Sequence, residues 1–370
     1  MSRKVLMFQP IIAPYRIDMV NELAAQFDFK LCLMLENLKT QKFDIKSLYG
    51  ERLIPQPQYL LERKSILGIG IPVQVFDVLE SFKPDVVLVW EFGIVAWLVS
   101  LYRLFHKTNY KIISFVDDSY DMLVNKRDVS IKHIVSRRLL TPWFDQIINV
   151  EPRAAEWYNH RYHKGIYFPI ISDDDVYRER LARVIPQSEE YIRKYNLQGK
   201  KVLLYVGRLV PVKNSVVVIS AFQKIQVDDS VFVIIGDGLE KERLQTLIGN
   251  SKSIIMLGRL EGDALYAWYN VAQTFILPSI FEPFGAVTNE ALLAGCYSLV
   301  SQNAGSSCLI KNDVNGNTFD PTNDKQIIAL LQRTMNESGR IILPMYVKPN
   351  RMTTSFMDYI SALIQIIQTI

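Results

Sequence analysis

Val86-Val-Leu-Val-Trp-Glu-Phe-Gly-Ile-Val-Ala-Trp-Leu-Val-Ser-Leu-Tyr-Arg-Leu-Phe105 is almost wholly apolar and about as long as a bilayer requires. Glu91 and Arg103 interrupt it, and a charge in hydrocarbon is expensive. The run divides better in two. Val86 to Trp90 is a short β-branched run behind the breaker Pro84-Asp85, Glu91-Phe-Gly93 is a turn, and Ile94 to Phe105 has helical apolar spacing. A buried strand feeding a helix is therefore expected, not a span.

The same alternation extends outward on both sides. Val5 to Phe8, Phe29 to Leu35, Lys111 to Val116 and Gln146 to Val150 are further strand candidates, and Tyr15 to Gln26, Pro72 to Phe82 and Ser130 to Leu140 are helices between them. A second series follows a polar stretch from Ser172 to Gly199. Its strands are Val202 to Val206, Val231 to Ile235, Ser253 to Leu257, Thr274 to Leu277 and Ser298 to Val300. Its helices are Val216 to Lys224, Leu239 to Ile248, Asp263 to Val271 and Ala286 to Ala294. Strand-helix-strand order implies parallel sheets with right-handed crossovers. The expectation is an α/β protein of two doubly wound, Rossmann-like domains facing a ligand cleft at the carboxyl ends of their strands. We place the first at 1–171, a linker region at 172–199, the second at 200–345, and at 346–370 an apolar helix returning to the first domain.

The chain has 370 residues, more than one core usually organises. With 49% hydrophobic and 22% charged residues, disordered and low-complexity classes are excluded. Cys32, Cys296 and Cys308 form no closed disulfide framework and no zinc spacing, and the start of the sequence has no signal-peptide pattern, so an intracellular setting is expected. Residues 1–170 hold 22 Lys and Arg against 18 Asp and Glu, leaving 20 of each beyond, so the whole net charge of +4 lies in the first half. Arg103, Lys107, Lys111, Lys126, Arg127, Lys132, Arg137 and Arg138 concentrate it. Such a patch suits anionic lipid headgroups or a phosphate-bearing acceptor, or is an ordinary solvated face. No nucleic-acid partner is expected.

The segment richest in chemistry is Leu277-Pro-Ser-Ile-Phe-Glu-Pro-Phe-Gly-Ala-Val-Thr-Asn-Glu-Ala-Leu-Leu-Ala-Gly295. A strand ends at Leu277 and a helix is expected from about Gly285. The N–H groups of Phe284, Gly285 and Ala286 at its start favour an anion such as phosphate. Glu282 before the helix and Glu290 inside it can each accept hydrogen bonds from adjacent hydroxyls, as a sugar or ribose offers. Taken singly, Glu282 is a capping acid and Glu290 a solvated helical residue.

This segment resembles the Glu-x7-Glu motif of retaining nucleotide-sugar glycosyltransferases of family 4, which have the two-lobed GT-B fold. Four further matches keep the same order: Tyr205-Val-Gly-Arg-Leu-Val-Pro-Val-Lys213, Ile235-Gly-Asp-Gly-Leu239, Leu257-Gly-Arg259, and Asn315-Gly316 to Asp320-Pro321. The resemblance implies that Arg208 and Lys213 neutralise the donor diphosphate, that Glu282 contacts sugar hydroxyls, and that Glu290 holds the ribose. Gly207, Gly236 and Arg259 enter the donor site by the same motifs. The physics agrees: a guanidinium fork and an ammonium offset charge on a departing nucleoside diphosphate. The Gly236-Asp-Gly238 turn lacks the third glycine of a dinucleotide fingerprint and also reads as a plain strand-to-helix turn.

The sequence departs from the family in several places. Gln9-Pro-Ile-Ile-Ala-Pro-Tyr-Arg16 stands where paired glycines are common, and Asp117-Asp118 where many members place a histidine. Asn214 follows Lys213 where glycine is frequent, and Ala304-Gly-Ser-Ser-Cys308 replaces a Gly-Gly-x-Pro-Glu run. Asp117 is read either as a hydroxyl-binding group or as a helix cap, and Glu91, at a neighbouring strand end, as lining the acceptor side. Asp173-Asp-Asp175 and His160-x2-His163 have metal-like spacings but read as an acidic loop and a structural pair. No metal and no cofactor are expected.

The resemblance thus implies a retaining, metal-independent transferase moving a sugar from a nucleoside-diphosphate donor to a glycan or lipid-linked glycan acceptor. Surface polysaccharide or glycolipid biosynthesis in the cytoplasm, peripheral to the inner face of a membrane, is the expected setting. A non-catalytic nucleotide-sugar-binding subunit and a GT-B nucleotide-sugar epimerase are the alternatives.

Overall fold

A computed structural model describes residues 2–35, 53–60 and 72–370. It divides into two compact units, Met1–Ile170 with Phe356–Ile370, and Ile171–Ser355.

In the first unit the strands are β1 (Lys4–Gln9), β2 (Asp28–Leu33), β3 (Gln58–Tyr59), β4 (Val86–Trp90), β5 (Lys111–Val116), β6 (Gln146–Asn149) and β7 (Gly165–Tyr167). Among the described residues they form one parallel sheet in the order β3-β2-β1-β4-β5-β6-β7. The middle strands are buried on both faces, which explains their continuous Val, Ile and Leu runs in place of an alternating pattern. The run 86–105 divides as expected, into β4 and the helix Ile94–His106. Among the described residues no helix is long and apolar enough to cross a membrane.

The helices Gln74–Phe82, Ile94–His106, Ile131–Leu140 and Pro152–Tyr162 pack Val75, Val99, Leu140 and Tyr158 into one core cluster over β4. The C-terminal helix Phe356–Thr369 belongs to this unit. It buries Phe356, Ile360, Leu363 and Ile367, a helical stripe in which each side chain contributes roughly 1.5 to 3 kcal/mol of hydrophobic stabilisation. The Arg3 guanidinium fastens it, donating to the carbonyls of Ile367 at 2.7 Å and Ile370 at 2.8 Å.

The second unit contains β8 (Lys201–Val206), β9 (Ser230–Ile235), β10 (Ile254–Gly258), β11 (Thr274–Leu277), β12 (Tyr297–Ser301) and β13 (Gly316–Phe319), in the parallel order β10-β9-β8-β11-β12-β13. The strand order reverses between β8 and β11, the position where such sheets bind ligands at their carboxyl edge. Residues expected to be a linker fold instead as two helices, Asp174–Arg183 and Ile185–Lys194. Their Tyr177, Leu181 and Ile192 join the second unit's core, so this stretch is part of a domain.

Candidate functional site

The reversal point of the second sheet brings two loops together. After β8 comes Gly207-Arg208-Leu209-Val210, then a 3-10 turn over Pro211–Lys213. The buried Tyr205 supports this loop from below, its hydroxyl donating to the Arg208 carbonyl at 3.0 Å. Asn214 adopts the left-handed conformation at φ 57, which asparagine tolerates, and its amide donates to the Pro321 carbonyl at 2.9 Å. That explains why the position accepts a residue other than glycine. From the other side, the loop after β11 donates the Ile280 N–H to the Val212 carbonyl at 2.9 Å.

Those contacts place the Lys213 ammonium against the Glu282 carboxylate, with each side chain only 13% exposed. Burial, and then the nearby Arg208 charge, push the Lys213 amine down to about 8. The structure therefore brings Arg208, Lys213 and Glu282 into one cluster. Arg208 is the exposed member.

Glu282 is held by its backbone: it bridges to Ala304, and the Gly305 N–H donates to its carbonyl at 3.0 Å. The next N–H, of Ser306, donates to the Phe284 carbonyl at 2.7 Å. Phe284 itself is buried at 3% exposure. Gly285 has φ 94 and a Cβ there would lie 2.7 Å from Leu277, so this turn needs glycine. The helix begins at Val287, later than the expected Gly285, and is seven residues long; Ala286 is its cap. Thr288, in its first turn, shares a hydrogen bond with Ser306 at 2.8 Å.

Glu290 lies in the same short helix and accepts a hydrogen bond from the Tyr269 hydroxyl at 2.8 Å. Burial, then the Glu290 charge, hold the phenols of Tyr269 and Tyr177 well above their ordinary range; only Tyr269 donates to Glu290, the Tyr177 hydroxyl being buried without a hydrogen-bond partner. One carboxylate oxygen of Glu290 is thus already engaged within the unit. Gly236 has a packing role: a Cβ there would sit 1.8 Å from the Gly207 carbonyl oxygen. The Gly207 N–H donates to Ile235 at 3.0 Å and the Leu209 N–H to Asp237 at 2.9 Å, clamping the two turns together. Arg259 follows β10 at the sheet edge, where its exposed side chain pairs with Glu261. Its strand, β10, stands two places from β8 in the sheet.

In the first unit a second polar cluster forms at the carboxyl ends of β4 and β5. Glu91 has φ 56, and its Oε1 accepts the Asp117 N–H at 2.9 Å. Asp117 pairs with Arg16 at 2.9 Å, and the Arg16 guanidinium lies 4.8 Å from the centre of the Trp90 ring. Asp118, 1% exposed, faces His133 at 3.0 Å, Arg137 at 3.1 Å and the Tyr158 hydroxyl at 3.0 Å. Burial opposes its ionisation, but the His133 hydrogen bond and the His133 and Arg137 charges outweigh burial and hold the carboxyl below its ordinary value. Glu91 shows the opposite balance. Burial, then the charges of Asp118 and Asp117, raise its carboxyl well above the usual range, and its Oε2 is sealed from solvent without a hydrogen-bond partner.

The sequence reading missed His133, Arg16, Arg137 and Tyr158. The signal was there in part: His133 and Arg137 are four apart on one helix and so share a face. Glu91, Asp118 and His133 place one potential metal-ligating atom each within 4.8 Å of one another. Arg137 and Tyr158 already occupy one Asp118 oxygen, so the arrangement fits an ion-pair network better than a cation site. Asp173 caps a helix, accepting from the N–H groups of Asp175 at 3.0 Å and Val176 at 2.9 Å. Among the described residues His160 and His163 join no cluster of potential metal ligands.

Residues 187–351 match the family model for glycosyl transferases group 1. The chain is 34% identical over 144 residues to an uncharacterized glycosyltransferase of Methanocaldococcus jannaschii, covering 38% of this chain and 37% of that one. It is 26% identical over 265 residues to a GDP-mannose-dependent alpha-mannosyltransferase of Mycolicibacterium smegmatis, covering 66% of this chain and 64% of the relative. The matched stretches thus span less than two thirds of either relative's length. Among solved structures, Anabaena Alr3699/HepE in complex with UDP superposes with a TM-score of 0.70 at 14% identity, over 99% of this chain and 100% of that one. Residues 187–351 are thus similar to the glycosyl transferases group 1 family, and the two Rossmann-like units have the GT-B fold.

Proposed function

We propose that this protein is a retaining glycosyltransferase, moving a sugar from a nucleoside diphosphate to an acceptor hydroxyl without a metal ion. The observation that carries this reading is the meeting of Arg208, Lys213 and Glu282 at the reversal point of the second sheet. In the resting protein Lys213 and Glu282 neutralise each other. A donor diphosphate competes for the ammonium and, with Arg208, replaces the carboxylate as its partner. Glu282, released, then accepts hydrogen bonds from the donor sugar's hydroxyls. The cations stabilise the charge that develops on the leaving diphosphate, an interaction stronger in the transition state than in the ground state. Glu290, the amides of Phe284 to Ala286, and the Gly207 and Gly236 turns complete the donor side of this proposal.

On the first unit, Glu91 and Asp117 are the proposed acceptor-side groups. Glu91 Oε2, which makes no hydrogen bond and faces the His133 ring at 3.9 Å, supports this role, because its raised carboxyl favours the protonated form that can donate to a sugar oxygen. A glycan or lipid-linked glycan is the proposed acceptor class, in surface polysaccharide or glycolipid assembly.

The test is a thermal-shift panel of nucleoside diphosphates and their sugars, followed by product analysis of the stabilising donor with and without glycan acceptors. A donor sugar that raises the melting temperature and is turned over supports the reading. Binding without turnover marks a binding subunit, and conversion of the donor sugar without acceptor marks an epimerase.

A further inference from the structure

The helices Ile94–His106 and Ile131–Leu140 bury one side in the same core, Ala96, Val99 and Tyr102 from the first and Leu140 from the second. They are neighbours, joined by a hydrogen bond from the Trp97 indole N–H to the Ser136 hydroxyl at 3.3 Å. Their outward sides carry apolar stripes. Ile131, Val135 and Leu139, spaced four apart, are exposed along the second helix, with Ile131 80% exposed. Leu101, Leu104 and Phe105 are exposed along the first, with Phe105 74% exposed. Single exposed apolar residues are ordinary, but two adjoining helical stripes are not.

The charge around these stripes selects the occupant. Lys107, Lys126, Lys132 and Arg138 are exposed beside them, whereas Asp128 is the one exposed acid between residues 94 and 143. A second copy of this face would meet like charge, which disfavours a two-fold dimer. An anionic bilayer surface answers both features: headgroups meet the cations and the acyl boundary takes the apolar side chains. We propose that this two-helix face docks the first unit on an anionic lipid membrane. The inference stands on the first unit alone and does not depend on the chemistry of the second.

Vesicle flotation of the full chain tests it, with phosphatidylcholine vesicles prepared with and without phosphatidylglycerol. The protein is expected to float with the anionic vesicles only, less so as salt rises. Lys107→Gln/Lys132→Gln/Arg138→Gln should lower partitioning by about two orders of magnitude. Leu104→Ser/Phe105→Ser/Ile131→Ser/Leu139→Ser should abolish the part that survives high salt. All these positions are exposed, and an unchanged melting temperature confirms that each variant folds. Failure to float with anionic vesicles, equal binding to neutral ones, or variants that bind like the parent would overturn the proposal. So would sedimentation showing a dimer that the serine variant dissociates.

Discussion

Lys213 and Glu282 are 69 positions apart in sequence, yet their side chains meet at the one place where the second sheet reverses its strand order. The contact joins the loop after β8 to the loop after β11 through opposite charges. If it is the resting state of a donor site, Lys213→Ala should lower donor turnover by about 10²- to 10³-fold, the scale seen when one group stabilising a developing anion is removed. Arg208→Ala should act in the same direction. Steady-state release of nucleoside diphosphate measures both, and normal turnover in the two variants would remove the diphosphate assignment.

The Lys213 amine, lowered to about 8, gives this site a pH signature. Its charge is lost as pH rises through about 8, so nucleoside diphosphate affinity should fall on the alkaline side. Lys213→Arg, which stays charged, should flatten that limb of the profile. Stability moves the other way for this group: between about 8 and the ordinary 10.5 the unfolded amine holds more protons than the folded one, so unfolding free energy rises with pH. Calorimetric titration of the diphosphate from pH 7 to 10 tests the binding limb, and a pH-independent affinity would contradict it.

Asp118 answers three partners from inside the first unit, and removing it strands the buried Arg137 guanidinium. Asp118→Ala should cost about 3 to 5 kcal/mol in urea unfolding. Its carboxyl is held below the ordinary 3.8, so its contribution is present above that value and lost as pH falls through the lower, native one.

Glu91 should respond with the reverse sign. Its raised carboxyl favours the protonated form in the fold, so ionisation at rising pH weighs against the native state. Glu91→Gln keeps an Oε1 acceptor for the Asp117 N–H and removes the charge. Its melting temperature at pH 8 should equal or exceed that of the parent protein. A clear loss would show that the carboxylate form is the native one.

Gly236→Ala drives a Cβ into the Gly207 carbonyl oxygen, where backbone cannot yield. A destabilisation of at least about 2 kcal/mol is expected, together with weaker diphosphate binding because the Arg208 loop shifts. Chemical denaturation and the thermal-shift response to nucleoside diphosphates report the two effects separately.

The strands were legible because parallel strands covered on both faces are continuous apolar runs; β4 and β5 match their expected bounds residue for residue. β7 and β13 were not, being three and four residues long and each opening on a glycine. The helices of 174–194 escaped notice because their exposed faces are so polar that only Tyr177, Leu181 and Ile192 mark the buried side. The meeting of Arg208, Lys213 and Glu282 was readable from ordered motifs, since each loop lies next to its strand. The first unit's network was not, because His133, Arg137 and Tyr158 reach Asp118 from helices far along the chain, and only folding reveals that convergence.

The fastening of Arg3 onto the carbonyls of Ile367 and Ile370 bears on the order of synthesis. Because the helix that seals the first unit is encoded after every residue of the second, the ribosome delivers the second unit whole while the first still lacks a wall. The part begun earliest is therefore completed last, and until then the groove awaiting Phe356, Ile360, Leu363 and Ile367 is open to chaperones.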